Sequence, residues 1–118
     1  MRIRNASLAD LGIIYEMEKR IFNDAWSKEA IQQELIRKEN SLNLVSEVDG
    51  EFIGYFFAHL VEDEAHILNI AIDVPHQHKG YGNEFLERIL DKHLQYADVF
   101  LEVKRTNFPA INLYLNFG

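Results

Sequence analysis

The chain has 118 residues, about one domain's worth, of which 47% are hydrophobic and 26% charged, with a mean hydropathy of -0.21. It holds no cysteine, which excludes disulfides, thiolate zinc sites and a cysteine nucleophile, and no stretch approaches the roughly 18 consecutive apolar residues of a membrane span. The net charge of -7 and pI near 5.1 argue against nucleic acid as the main partner and suit a cationic acceptor such as an amine or a basic peptide.

No apolar run follows Met1-Arg2-Ile3-Arg4, so no secretory signal is expected, and a cytoplasmic location is. Arg2 to Ala6 reads as a short edge strand. Ser7-Leu8-Ala9-Asp10 has the form of a capping box, and Ile13, Met17 and Ile21, with Ile14 beside them, mark the inner face of the helix behind it. Ser27 caps a second helix, about Lys28 to Lys38, with Ile31 and Leu35 inward. Leu42, Leu44, Ser46 and Val48 alternate as in a strand, and Asp49-Gly50 is a two-residue hairpin turn. Phe52 to Leu60 is aromatic and strand-forming, Glu62-Asp63-Glu64 is a polar turn, and His66 to Val74 is a central strand ended by Pro75. Gly80 to Tyr96 is a long helix with Phe85, Leu86, Ile89, Leu90 and Leu94 inward. Val99 to Val103 is a strand, and Asn107 caps a last helix carrying Ile111, Tyr114 and Leu115 on one face. The predicted order is β-α-α-β-β-β-α-β-α, an α/β (α+β) fold with helices packed on a mixed, twisted sheet.

The most informative segment runs from Asn69 to Gly82. A buried strand ends, a short loop follows, and Gly80 and Gly82 open a helix. The arrangement reads either as a tight strand-to-helix turn or as a phosphate site, in which free helix N–H groups face an anion and Lys79 and His78 add charge. It lacks the Gly-Lys-Ser/Thr end of a P-loop and the third glycine of a dinucleotide fingerprint. His76 and His78 flank Gln77, but no further ligand is placed to make a metal site, and none is expected. His59, His66 and His93 read as structural or exposed. Trp26 reads either as a core anchor between the first two helices or as part of an acceptor wall.

Gln77-x-x-Gly80-x-Gly82 after a strand resembles the pyrophosphate loop of the GNAT N-acetyltransferases. Asn69-Ile70-Ala71-Ile72-Asp73, Leu101-Glu102-Val103, Asn107 and Ala110-Ile111-x-Leu113-Tyr114-x-x-Phe117-Gly118 resemble in particular the bacterial RimI type, which acetylates the N-terminal alanine of a small ribosomal protein. Ala25-Trp26-Ser27 is similar to the Pro-Trp-Ser of that type's substrate-side loop, with alanine in place of proline. The resemblance implies acetyl-CoA as cosubstrate and no metal. It implies that Ile70, Ala71 and Ile72 present backbone groups to the pantetheine arm and thioester. Gln77, His78, Lys79, Gly80, Tyr81, Gly82 and Asn83 would cradle the pyrophosphate, and Asn107 would bond the pantetheine region. Glu102 would be the general base and Tyr114 the general acid. The acceptor would be a protein N-terminus; a small amine, or a catalytically weak acetyl-CoA-binding module, are the other readings. RimI-type chains continue with two further strands past the residue matching Gly118. The expectation is therefore a single domain, residues 1–118, shortened at its C-terminus, with the Val99–Val103 edge open to a second copy.

Overall fold

Asp49 and Gly50 both have positive φ, 53° and 80°, the handedness that matches strand twist in a two-residue turn. They join β2 (Ser41–Val48) to β3 (Glu51–Val61), and a second turn at Glu62-Asp63 returns the chain as β4 (Glu64–Ile72). The computed structural model in which these hairpins are seen describes residues 1–101. β1 (Arg2–Asn5) lies antiparallel to β2 at one edge, and β5 (Asp98–Leu101) runs parallel to β4. The sheet order is β1-β2-β3-β4-β5, a mixed sheet with one parallel pair. Through Leu101 the elements follow the predicted order. Val103 and the predicted last helix from Asn107 lie outside the described residues.

Helices cover both faces. β3 is buried from Ile53 to Ala58, and its side chains divide by parity. Tyr55 and Phe57 meet α1 (Leu11–Ile21) and α2 (Lys28–Ile36) in a cluster with Ile14, Met17, Phe22, Ile31 and Ala71. Phe56 and Ala58 meet α3 (Tyr81–Lys92) on the other face, in a cluster with Leu44, Ala65, Ile67, Ile70, Phe85, Leu86 and Ile89. Each large side chain fully buried in this way contributes on the order of 1.5–3 kcal/mol.

β4 does not keep its parity. Phe57 pairs with Asn69 and Ala58 with Ile67, so Leu68 is an extra residue, a β-bulge. Ile67 and Ile70, three apart, therefore both join the α3 cluster, while Leu68 and Ala71 join the α1/α2 cluster.

Several details differ from expectation: β4 ends at Ile72, with Val74 in a 3-10 turn, and others have a clear local reason. The inward residue of α1 is Ile14, fully buried, whereas Ile13 is 47% exposed, because one step along a helix turns a side chain by about 100°. α3 stops at Lys92 rather than near Tyr96. The N–H groups of His93 and Leu94 both bond Ile89 O, at 2.9 and 3.2 Å, and the turn tucks Leu94 into the core while leaving Tyr96 exposed. α2 stops at Ile36, where Arg37 turns extended, and Ser41 Oγ donates to Arg37 O. Glu64, expected in the turn, opens β4.

Gly54 sits where β2 and β4 crowd β3. A Cβ there would lie 2.5 Å from Ala71 O, 2.7 Å from Ile72 Cδ1 and 2.9 Å from Ser46 Oγ. Because the nearest atom is backbone, the strands themselves would have to part. Gly54→Ala should cost about 1–3 kcal/mol and lower the melting temperature by several degrees, read by thermal unfolding. A melting point unchanged within error would show that the sheet can open there.

The β1 edge is held by Arg4, whose guanidinium binds both Asp10 carboxylate oxygens at 2.9 Å, while Ser7 N–H donates to Oδ2 at 2.9 Å. Arg4 thereby holds the Asp10 carboxyl below its ordinary pKa. A lowered folded-state pKa gives stability that is present above the unfolded value, about 3.9, and is lost as pH falls through the folded value. The melting-temperature gap between wild type and Arg4→Met should be steady from neutral pH down to about 5 and close below about 4. A gap that persisted there would assign Arg4's contribution to its packing on Phe52 rather than to Asp10.

Candidate functional site

Among the described residues, the C-terminal half of β4 is paired along one backbone edge alone. Ile70, Ala71 and Ile72 pair on one side with Phe56, Tyr55 and Gly54 of β3. On the other side the β5 ladder runs from Glu64–Asp98 to Ile67–Leu101, so among the described residues no strand pairs with Asn69–Ile72 on that edge. The Ile70 and Ala71 side chains are buried, and what the edge can present to a ligand is alternating N–H and C=O groups.

The loop after β4 is tightly fixed. Asp73 N–H donates to Ile53 O at 2.7 Å, and the Asp73 carboxylate accepts from Val74 N–H at 2.9 Å. The same carboxylate takes both arms of Arg20, at 3.2 and 2.9 Å, which joins the last turn of α1 to the loop and raises the Arg20 pKa. Val74–His76 form one 3-10 turn. His76 Nε2 lies 3.3 Å from Glu51 Oε2, and the Gln77 side-chain amide donates back to Ile72 O at 2.9 Å. Gln77 thus fastens the loop to the end of the strand.

His78 and Gly80 have φ of 64° and 86°, two left-handed residues in three, and they turn the chain abruptly into α3. Gly80 is the N-cap and supplies no side chain to close the helix end. The first intrahelical bond is Glu84 N–H to Gly80 O at 3.1 Å, so the N–H groups of Tyr81, Gly82 and Asn83 have no partner within the helix. His78, Lys79, Gly80 and Asn83 are exposed; Tyr81 and Gly82 are half-buried. Partial positive charge, donors without an intrahelical partner and a nearby lysine are what an anion would meet at this helix end. It stands at the end of that same strand, β4. Ile70, Ala71, Ile72, Gln77, His78, Lys79, Gly80, Tyr81, Gly82 and Asn83 therefore form one continuous strand-loop-helix unit. Glu102, Asn107 and Tyr114 lie outside the described residues.

One buried acid escaped the sequence reading. Glu18 is 1% exposed on α1 and accepts three hydrogen bonds, from Tyr55 OH at 2.6 Å, Asn69 Nδ2 at 2.7 Å and Trp26 N–H at 2.8 Å. Burial, reinforced by Glu18, pushes the Tyr55 hydroxyl far above its ordinary pKa, so it remains a donor. The available signal was positional: Glu18 falls between Ile14, Met17 and Ile21 on the apolar face of α1. Trp26 is half-buried and stacked on Phe57, with centroids 5.8 Å apart. His59 binds Glu34 at 2.8 Å, and His66 binds Glu64 at 3.0 Å and stacks on Phe100, away from this unit. Among the described residues no helix is long and apolar enough to cross a membrane.

Residues 11–118 match the profile of the acetyltransferase (GNAT) family. The [ribosomal protein bS18]-alanine N-acetyltransferase of Escherichia coli strain K12 is 30% identical over 118 residues, covering 98% of this chain and 78% of that one. The crystal structure of the ribosomal-protein-S18-alanine N-acetyltransferase from Escherichia coli superposes with a TM-score of 0.86 at 31% identity, over 99% of this chain and 76% of that one. A Thermoplasma acidophilum PaiA N-acetyltransferase, solved in complex with coenzyme A, shares the fold with a TM-score of 0.76 at 22% identity, over 99% of this chain and 87% of that one. The mixed sheet, the strand-loop-helix unit and these matches agree: the chain belongs to the GNAT family and is an N-acetyltransferase.

Proposed function

We propose that this enzyme carries acetyl-CoA on the β4–α3 unit and transfers the acetyl group to the N-terminal α-amine of a protein in the cytoplasm. The acceptor of the Escherichia coli relative, the N-terminal alanine of ribosomal protein bS18, is the first candidate. The observation that carries this reading is the uncapped start of α3 at Gly80, directly beyond the edge of Ile70–Ile72 that no described strand pairs. A pyrophosphate fits the free N–H groups of Tyr81, Gly82 and Asn83, and an extended amide arm fits the strand edge, with Asn107 holding it further along.

The chemistry removes two protons from the amine nitrogen and gives one to the thiolate. A free α-amine has a pKa of about 7.7–8.0, so much of it is protonated at neutral pH and must lose a proton before attack. Glu102 takes that proton, directly or through water. The amine nitrogen then attacks the thioester carbonyl, the C–S bond breaks, Tyr114 gives its hydroxyl proton to the departing thiolate, and the nitrogen's second proton, released as the neutral amide forms, returns through water to the Tyr114 oxygen. The net charge of -7 favours a cationic acceptor over an anionic one.

Gly82→Val places a branched side chain at the second residue of α3, where a pyrophosphate would approach. Calorimetry should show a large loss of acetyl-CoA affinity with the fold retained. Unchanged affinity in a folded variant would remove the ligand from this helix end. An acceptor panel of N-terminal peptides and small amines decides the acceptor class; preference for a small amine would overturn the protein N-terminus.

Glu102→Gln keeps shape and removes basicity, so kcat should fall by about 10²–10⁴ with acetyl-CoA affinity nearly unchanged. Tyr114→Phe should likewise lower kcat more than it weakens binding. The acidic limb of the pH–rate profile should change in Glu102→Gln, while a limb due to the substrate amine should remain. Near-wild-type kcat in both variants would give the proton transfers to water or other groups.

A further inference from the structure

We infer that Glu18 is a positioning residue for the acceptor: its buried carboxylate sets the place of the Trp26 loop beside the acetyl-bearing strand without touching either substrate. This rests on the reading of Ile70–Ile72 as the stretch beside the thioester. Three observations carry it. The two carboxylate oxygens divide their work, Oε1 taking Tyr55 OH and Asn69 Nδ2 from the sheet, and Oε2 taking the backbone N–H of Trp26 from the loop between α1 and α2. Asn69 immediately precedes Ile70, so the sheet-side anchor is the neighbour of the proposed reacting stretch. Trp26 stacks on Phe57, and Phe57 is the cross-strand partner of Asn69, so loop and strand meet at one level of the sheet. An amine reaching the thioester from the α1 side passes this loop, and Glu18 is the group that fixes its distance from β4.

The geometry makes Glu18→Gln selective. With the amide oxygen of the introduced glutamine in the Oε1 position, Tyr55 and Asn69 keep their acceptor, and the NH2 group confronts the Trp26 N–H, donor against donor. The reverse orientation would set the NH2 group against Asn69 Nδ2 and require the Tyr55 hydroxyl to turn and accept, disturbing both sheet bonds. The substitution therefore releases the loop and spares the sheet. Trp26 is the chain's one tryptophan, so its emission reports the loop directly.

The test is steady-state kinetics with an N-terminal peptide, acetyl-CoA calorimetry, and Trp26 emission on Glu18→Gln. A second variant, Glu18→Met with Tyr55→Phe, removes the tether without leaving a buried charge, should the first variant fold poorly. The expected result is an acceptor KM raised by about tenfold, the scale of one charge-assisted hydrogen bond, with acetyl-CoA affinity within about twofold and a red-shifted emission. Tyr55→Phe alone, which leaves the Trp26 bond in place, should lower stability and leave acceptor KM and emission unchanged. Acceptor KM and acetyl-CoA affinity weakening together, or KM and emission both unmoved in a folded variant, would overturn the inference. The emission is read with no substrate present, so a loop that stays in place refutes the positioning role whether or not the chain turns over. Failure of wild-type transfer with a normal emission shift in the variants would count instead against the proposed acceptor.

Discussion

A carboxylate with almost no solvent contact is costly unless every lone pair facing the interior is matched, and the first layer of this fold is arranged to match one. Glu18 receives a phenol from β3, an amide from β4 and a backbone N–H from the chain beyond α1. None of these donors can move without stranding a buried charge. The apolar cluster around Ile14, Met17, Phe57 and Ile31 supplies most of the burial, but it is tolerant of small slides. The polar junction is not. It gives α1 one height along the sheet, and Arg20 to Asp73 repeats the constraint at the end of β4. Between these two anchors lie Ile70–Ile72.

The other layer works differently. α3 is held to the sheet by Phe85, Leu86 and Ile89 packing on Phe56, Ala58 and Ile67, an apolar interface. Its N-terminus is left without a capping side chain at the place where the loop delivers it to the strand end. A helix optimised for stability would close that end with serine, threonine or aspartate, as Ser27 closes α2 by accepting from Ala30 N–H. The omission leaves the first N–H groups of α3 without an intrahelical partner, and rigidity comes from the loop instead, through Asp73, Gln77 and the left-handed turns at His78 and Gly80. β4 belongs to both layers, meeting Glu18 on one face and α3 on the other.

Much of this was legible in the chain because it is locally written. Asp49-Gly50 announces a hairpin since few other pairs accept two positive φ values. Gln77-x-x-Gly80-x-Gly82 after an apolar strand announces a tight strand-to-helix turn, and the periodicity of Phe85, Leu86 and Ile89 orients that helix. What stayed hidden depends on partners far along the chain. Tyr55 and Asn69 lie 37 and 51 residues from Glu18, so a glutamate in an apolar stripe could not be told from a solvated one. The bulge at Leu68 has no distinguishing residue, because leucine fits either face. The end of α3 falls where no glycine or proline marks it. Ile13 and Ile14 differ only in which one the sheet meets.

The bulge also has a bearing on how such a chain can vary. Before Leu68 the strand pairs with β5; after it the strand meets Glu18 and Arg20 on one face while Ile70 and Ile72 still pack toward α3, and one unpaired residue joins the two stretches. Removing a residue between Ile67 and Asp73 would not merely shorten β4. Losing Leu68 itself would straighten the strand and keep Asn69 opposite Phe57, whereas losing a residue between Asn69 and Asp73 would straighten it only by carrying Asn69 to the α3 side, away from Glu18. From Asn69 to Asp73 the strand is thus counted residue by residue, with Glu18 holding one end of that span and Arg20 the other.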